Sequence, residues 1–214
     1  MSTTAVPRAA ASAAALGGAV VVALVVFRRV FWPWQSRWGA TADEVARVMP
    51  GDAIVGRADF VATRGISIAA PPAQVWPWLV QIGSGRAGWY SYDRIDNGGT
   101  PSATRILPEH QQRRVGDRIP MITGKDIGPT VKAIDPPHRT LWSDDDGALS
   151  WEWLLEPSGD GGTRLVNRLR VTAHPWTRRM AYEAVASVGD IVMQHRMLHG
   201  IKRRAEPLPN GDSS

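Results

Sequence analysis

Alternation of apolar and polar side chains predicts β-strands over residues 60–69, 115–122, 130–135, 139–143, 150–156 and 164–173, with Gly, Pro, Asp or Ser between successive runs. The last two runs specify their own pairing. Around the loop at 157–162, Glu156 falls opposite Arg164 and Glu152 opposite Arg168 on one face. The other face pairs Leu155 with Leu165, Trp153 with Asn167 and Trp151 with Leu169. A slip of one residue would place both tryptophans in water and bury two arginines, so one register is strongly favoured. Gly65 interrupts the first run, which marks a bulge or a close backbone approach.

The apolar period changes to that of a helix in two places. After the proline pair at 71–72, Val75, Trp78, Leu79 and Ile82 recur on one face and Gly83 ends the run. Pro72 suits a first helical turn, whereas Pro77 lies deep enough to kink the helix. The second helix is predicted over 176–205. Its inward stripe runs through Ala181, Ala184, Val185, Val188, Ile191, Val192, His195 and Leu198, with Gly189 a weak point. Lys202, Arg203 and Arg204 complement the dipole at its C-terminal end. Thr41 and Glu44 have capping-box spacing ahead of a short helix that Pro50-Gly51-Asp52 stops. Residues 88–97 read as a short helix or ordered loop, and 98–113 are too irregular to assign.

Three stretches carry a family likeness: Ala70-Pro-Pro-Ala-Gln-Val-Trp-Pro-Trp-Leu79, Gly88-Trp-Tyr-Ser-Tyr-Asp93 and Met197-Leu-His-Gly-Ile-Lys-Arg-Arg-Ala-Glu206. The chain over 58–206 resembles the START-like (SRPBCC) helix-grip superfamily, in its bacterial polyketide-cyclase-like branch. The resemblance implies an α+β helix-grip fold, in which a curved antiparallel sheet surrounds a long C-terminal helix and an apolar cavity. It further implies a ligand among lipids, sterols, polyketides or plant hormones, with catalysis in a minority of members and no universal catalytic motif to transfer.

At 214 residues and 43% hydrophobic content, the chain holds one domain of moderate size with an appendage. The absence of cysteine excludes disulfides, thiolate metal sites and cysteine nucleophiles. Ten tryptophans supply large apolar area suited to cavity walls or membrane interfaces. The net charge of +5 comes from arginine far more than lysine, a bias that points to genome composition before nucleic acid, and no nucleic-acid partner is expected.

The run from Ala9 to Phe27 is uncharged and, at 1.5 Å per residue, about 28 Å long as a helix, close to bilayer thickness. Arg28, Arg29, Phe31, Trp32 and Trp34 follow in the manner of an interfacial belt. The expectation is therefore an uncleaved single-pass anchor in the cell membrane. Its rival is a cleaved signal peptide, disfavoured because Ala40-Thr41-Ala42 lies too far downstream. Arg28, Arg29 and Arg37 against Arg8 and the amino terminus lean towards a cytoplasmic C-terminal domain. The expected organisation is an anchor and interfacial segment over 1–38, a juxtamembrane helix and linker over 39–57, the helix-grip domain over 58–206 and a disordered tail over 207–214.

Candidate ligand-binding residues are Trp89, Tyr90, Tyr92 and Asp93, in the densest aromatic and ionisable group of the domain, together with Trp151, Trp153, Asn167 and His195 on predicted inward faces. A buried Asn or His needs a partner, from the protein or from a ligand. Gly83-Ser-Gly-Arg-Ala-Gly88 has the letters of a dinucleotide loop but follows a helix instead of opening one, so no cofactor is expected. His195 and His199 have metal-pair spacing without an accompanying carboxylate, and Asp144-Asp-Asp146 reads as a solvated turn, so no metal is expected either. Three functions remain in view. The leading one is membrane-tethered binding or transfer of a hydrophobic small molecule. The second is a polyketide cyclase or dehydratase in which Tyr90 or Tyr92 polarises a carbonyl while His195 moves a proton. The third is an interaction module whose cavity is filled by its own tryptophans. Oligomeric state is not legible.

Overall fold

The computed structural model describes residues 5–172 and 187–206. Its sheet is built from β1 (Phe60–Ile68), β2 (Thr130–Asp135), β3 (Arg139–Ser143), β4 (Leu149–Pro157) and β5 (Thr163–Val171). All neighbours are antiparallel, in the order β1-β5-β4-β3-β2. The helices are α1 (Ala5–Val26), α2 (Trp32–Ser36), α3 (Ala42–Ala46), α4 (Pro72–Val80), α5 (Asp93–Asp96) and α6 (Ser187–Ala205).

The β4–β5 register is the one that charge and apolar matching demand: Glu156 opposite Arg164, Glu152 opposite Arg168, Trp153 opposite Asn167 and Trp151 opposite Leu169. Residues 115–122, expected as a strand, are not one. Gly116 takes φ 92°, and the segment meets β2 through an isolated bridge between Arg118 and Thr130 and a bond from the Gly116 N–H to the Val131 carbonyl at 2.8 Å. At Gly65 the pairing with β5 runs without a bulge. The glycine instead admits another backbone: its N–H donates to the Trp38 carbonyl at 3.3 Å, and a Cβ there would meet the Arg164 guanidinium at 2.4 Å.

The inner face of the sheet and α6 enclose the core, with Trp142, Trp153, Leu155, Leu165, Leu198 and Ile201 all fully buried. Residues 181–186 of the predicted inward stripe lie outside the described residues. Within α6 the buried line is Ile191, Gln194, Met197, Leu198 and Ile201, and Val192 and His195 are exposed. The expected inward position of His195 is thus corrected. A stripe drawn through every apolar residue rotates the helix away from its true phase, in which a glutamine faces in.

The sheet face turned away from α6 was expected to hold its charges in water. It is covered by residues 39–56. Glu152 and Arg168 are 1% and 4% exposed. Arg168 donates to Asp52 and to the carbonyls of Glu44, Val45 and Arg47, while Arg164 pairs with Glu44 at 2.7 Å. Gly51 N–H donates to Glu152 at 2.7 Å. The Thr41 capping box forms in full. Each buried charge has its partner on the covering segment, which is what makes burial tolerable.

Among the described residues no helix is long and apolar enough to cross a membrane. The expected single-pass location and the orientation derived from it are overturned. α1 is built largely of alanine, glycine and valine, small side chains that bring little apolar area each. Of the aromatic residues beyond it, two serve the domain. Trp32 stands edge-on to Phe60 at 5.5 Å, and both Trp32 and Trp38 pack against the core.

Candidate ligand cavity

Between the inner sheet face and α6 lies a cavity of about 920 Å³, towards the upper end of the roughly 300–1,000 Å³ typical of small-molecule sites. Trp151 of β4 and Leu169 of β5 form its floor, and Asp190, Met193, Gln194 and Met197 of α6 form its roof. Trp89, Ser91, Ile95 and Asp96 close one side, Met121, Ile127 and Pro129 another, and the turn Asp144-Asp-Asp146 with Arg118 sits on the rim.

The floor is a tryptophan cluster. Trp89 and Trp151 stack 5.9 Å apart and within 4° of parallel, and Trp142 and Trp153 lean on Trp151 at 5.3 and 5.2 Å. The left-handed backbone of Tyr90, at φ 57°, turns the chain between Trp89 and Ser91. α6 packs onto this turn so closely that a Cβ on Gly200 would meet the Tyr90 carbonyl oxygen at 2.4 Å.

Of the sequence-derived candidates, Trp89 and Trp151 line this space. The Tyr90 hydroxyl is engaged elsewhere, donating to the Trp78 carbonyl at 3.1 Å and accepting from Gln81 at 2.7 Å; burial pushes its pKa up to about 12. Tyr92 carries the Arg196 guanidinium over its ring at 4.5 Å, and Asp93 accepts from the Ser102 hydroxyl. Trp153 is fully buried beneath the lining, and Asn167 donates to Gln194 at 3.1 Å. His195 stands edge-on to Trp38 at 4.3 Å on the exposed side of α6, where burial and then the neighbouring His199 lower its pKa. The lining contains no tyrosine or histidine among the described residues, so the tyrosine–histidine pair of the enzymatic reading does not converge there. Residues 83–88 close on themselves through paired Gly83 and Gly88 backbone bonds, a turn and not a phosphate cradle.

The polar groups that do face the cavity were mostly not singled out. Asp190 lies 2.6 Å from Arg64, which is fully buried on β1 and also donates to the carbonyl and side-chain oxygen of Gln35. Burial raises the Asp190 pKa, and Arg64 opposes the rise. Asp96 is pushed up to about 6, chiefly by burial and then by Asp93. Asp190, Gln194 and Met197 stand at i, i+4 and i+7, a helical-face signal that was present in the sequence but hidden by its polar members. No spacing rule brings Arg64 to Asp190, because the two are 126 residues apart.

Residues 58–206 match the family model described as polyketide cyclase / dehydrase and lipid transport. No curated protein matches the chain. Similar solved structures include the KanY protein, with 18% identity, coverage of 69% of this chain and 98% of that one, and a TM-score of 0.43. Protein CV1439 from Chromobacterium violaceum shares 15% identity, with 70% and 99% covered and a TM-score of 0.43. The polyketide-cyclase-like protein Cgl2372 from Corynebacterium glutamicum shares 21%, with 73% and 89% covered and a TM-score of 0.34.

Proposed function

Because this chain belongs to the polyketide cyclase/dehydrase and lipid transport family over residues 58–206, we propose that its cavity binds a hydrophobic small molecule of lipid, isoprenoid or polyketide-like character. The observation that carries the reading is a volume of about 920 Å³ walled by Trp89, Trp151, Leu169, Met193 and Met197. Apolar walls with few polar groups are what a ligand site of this kind requires. The same open volume speaks against an interaction module packed solid by its own tryptophans.

Binding alone accounts for the lining; a reaction would need an acid and a base converging on one substrate atom. Titration of the purified protein with the neutral dye Nile red tests the reading. Saturable one-to-one uptake is expected, and Met193→Trp, which fills the space from its roof, weakens it. Absence of saturable uptake by the unsubstituted protein overturns the proposal.

A further inference from the structure

The roof of the cavity holds a carboxylate that its partners do not close off, which bears on ligand class; the inference rests on the binding function just proposed. Asp190 lines the cavity beside Gly189, Met193, Gln194 and Met197 of α6. The fully buried Arg64 of β1 donates to its Oδ2 at 2.6 Å, yet 14% of the Asp190 side chain stays exposed. The adjoining space is open. A Cβ on Gly189, itself part of the lining, would meet no other described side chain or element within 4 Å. The remaining polar side chains of the lining are either more deeply buried, at Ser91, Asp96 and Gln194, or on the rim, at Arg118 and Asp144 to Asp146.

The chemistry of this group specifies its complement. An ionised carboxylate only accepts, through about four lone-pair sites on its two oxygens. Arg64 occupies one of them, and Gln194, one turn along α6, also favours the charged form. The capacity left over calls for a donor. Charge then narrows the donor's kind, because Arg64 already neutralises Asp190 and spends its other contacts on the uncharged carbonyl and side-chain oxygen of Gln35. An ammonium group would lose its hydration in an apolar space to reach an anion that is already matched. A carboxylate would bring like charge against Asp190, with Arg64 buried behind it. A neutral hydroxyl donates without either cost.

We infer that Asp190 anchors the hydroxyl group of a neutral lipophilic alcohol, and that the cavity discriminates such alcohols from isomeric ethers, which can only accept. Gly189 leaves room for the carbon that bears the hydroxyl, and Arg64 holds the carboxylate in place.

Two isomers of equal size separate donation from apolar burial: 1-decanol and 1-methoxynonane, each displacing Nile red at pH 8. The alcohol is expected to bind about tenfold more tightly than the ether, as one hydrogen bond to a charged group provides. The double substitution Arg64→Met with Asp190→Leu removes the carboxylate without stranding its cation, and it abolishes that preference. Gly189→Leu keeps the ion pair, gains helix propensity and fills the space beside the carboxylate, so it lowers the preference as well. Circular dichroism and a cooperative urea transition establish that each variant is folded. Equal binding of the two isomers by the unsubstituted protein overturns the inference. So does an undiminished preference in the double variant or, should that variant not fold, in Gly189→Leu. In those cases saturable dye uptake leaves the binding function standing, whereas absence of dye uptake by the unsubstituted protein removes both.

Discussion

Breaking the contact between Arg64 and Asp190 will destabilise the protein far more than replacing both residues. The Arg64 guanidinium is fully buried, the Asp190 side chain is 14% exposed and the two lie 2.6 Å apart. Arg64→Met leaves a carboxylate in a desolvated place without its cation, a cost of about 3–5 kcal/mol. It also strips donors from the Gln35 carbonyl and side chain, which now sit at 3.2 and 3.1 Å, adding about 1 kcal/mol for each bond. Asp190→Leu strands the arginine instead. The double substitution removes both charges, so its cost should fall at least about 2 kcal/mol short of the sum of the singles, within the range measured for coupled pairs. Burial already raises the Asp190 pKa against the opposing arginine. Loss of the cation raises it further, so the Arg64→Met protein binds a proton more readily than its unfolded chain does. Its deficit is therefore smallest at pH 4 and grows as pH rises. Urea unfolding followed by tryptophan fluorescence at pH 4 and pH 7.5 measures both quantities. Costs that add within about 0.5 kcal/mol, with a deficit that ignores pH, would refute the reasoning.

Gly200→Ala gains about 1 kcal/mol of helix propensity but drives a Cβ to 2.4 Å from the Tyr90 carbonyl oxygen and 2.6 Å from its Cβ. The net effect is a loss of about 1–3 kcal/mol from overpacking, read from the urea midpoint, together with weaker Nile red uptake because the Tyr90 turn positions Trp89. Asp96, whose pKa burial pushes up to about 6 in the folded protein from an ordinary 3.8, holds a proton that the unfolded chain has lost between those values, so it makes stability fall as pH rises across that window. Asp96→Asn should remove that slope and gain stability at pH 7.5 but not at pH 3.5; an unchanged pH profile contradicts the assignment. A fragment starting at residue 58 keeps the whole family match yet strips the partners of Arg164, Arg168 and Glu152. It should fail to give the cooperative unfolding transition of the full chain, and a cooperative fragment of equal midpoint would show that residues 39–56 are dispensable.

The pairing of β4 with β5 was legible because alternation has a period of two and a one-residue slip exchanges faces wholesale; Trp151, Trp153 and their partners admit one solution. The capping box at Thr41 and Glu44 and the proline-led start of α4 were legible for a similar reason, since each depends on groups within one helical turn. Trp89 was named for the dense aromatic and ionisable group it belongs to and Trp151 for its inward strand phase, and the structure places both against the cavity.

What tertiary structure alone decided was the fate of the polar groups. Glu152 and Arg168 obey the rule for an outward face, yet they are buried because residues 39–56 supply Gly51, Asp52 and three carbonyls over them. Trp32 fits a membrane belt equally well by composition, and only the path of the chain seats it on the core. Gln194 faces in and His195 faces out because Asn167 and Trp38 stand where they do. Local periodicity records which side chains shun water, whereas a buried charge or amide is settled by a partner that can lie more than a hundred residues away, and no period of two or 3.6 carries that information.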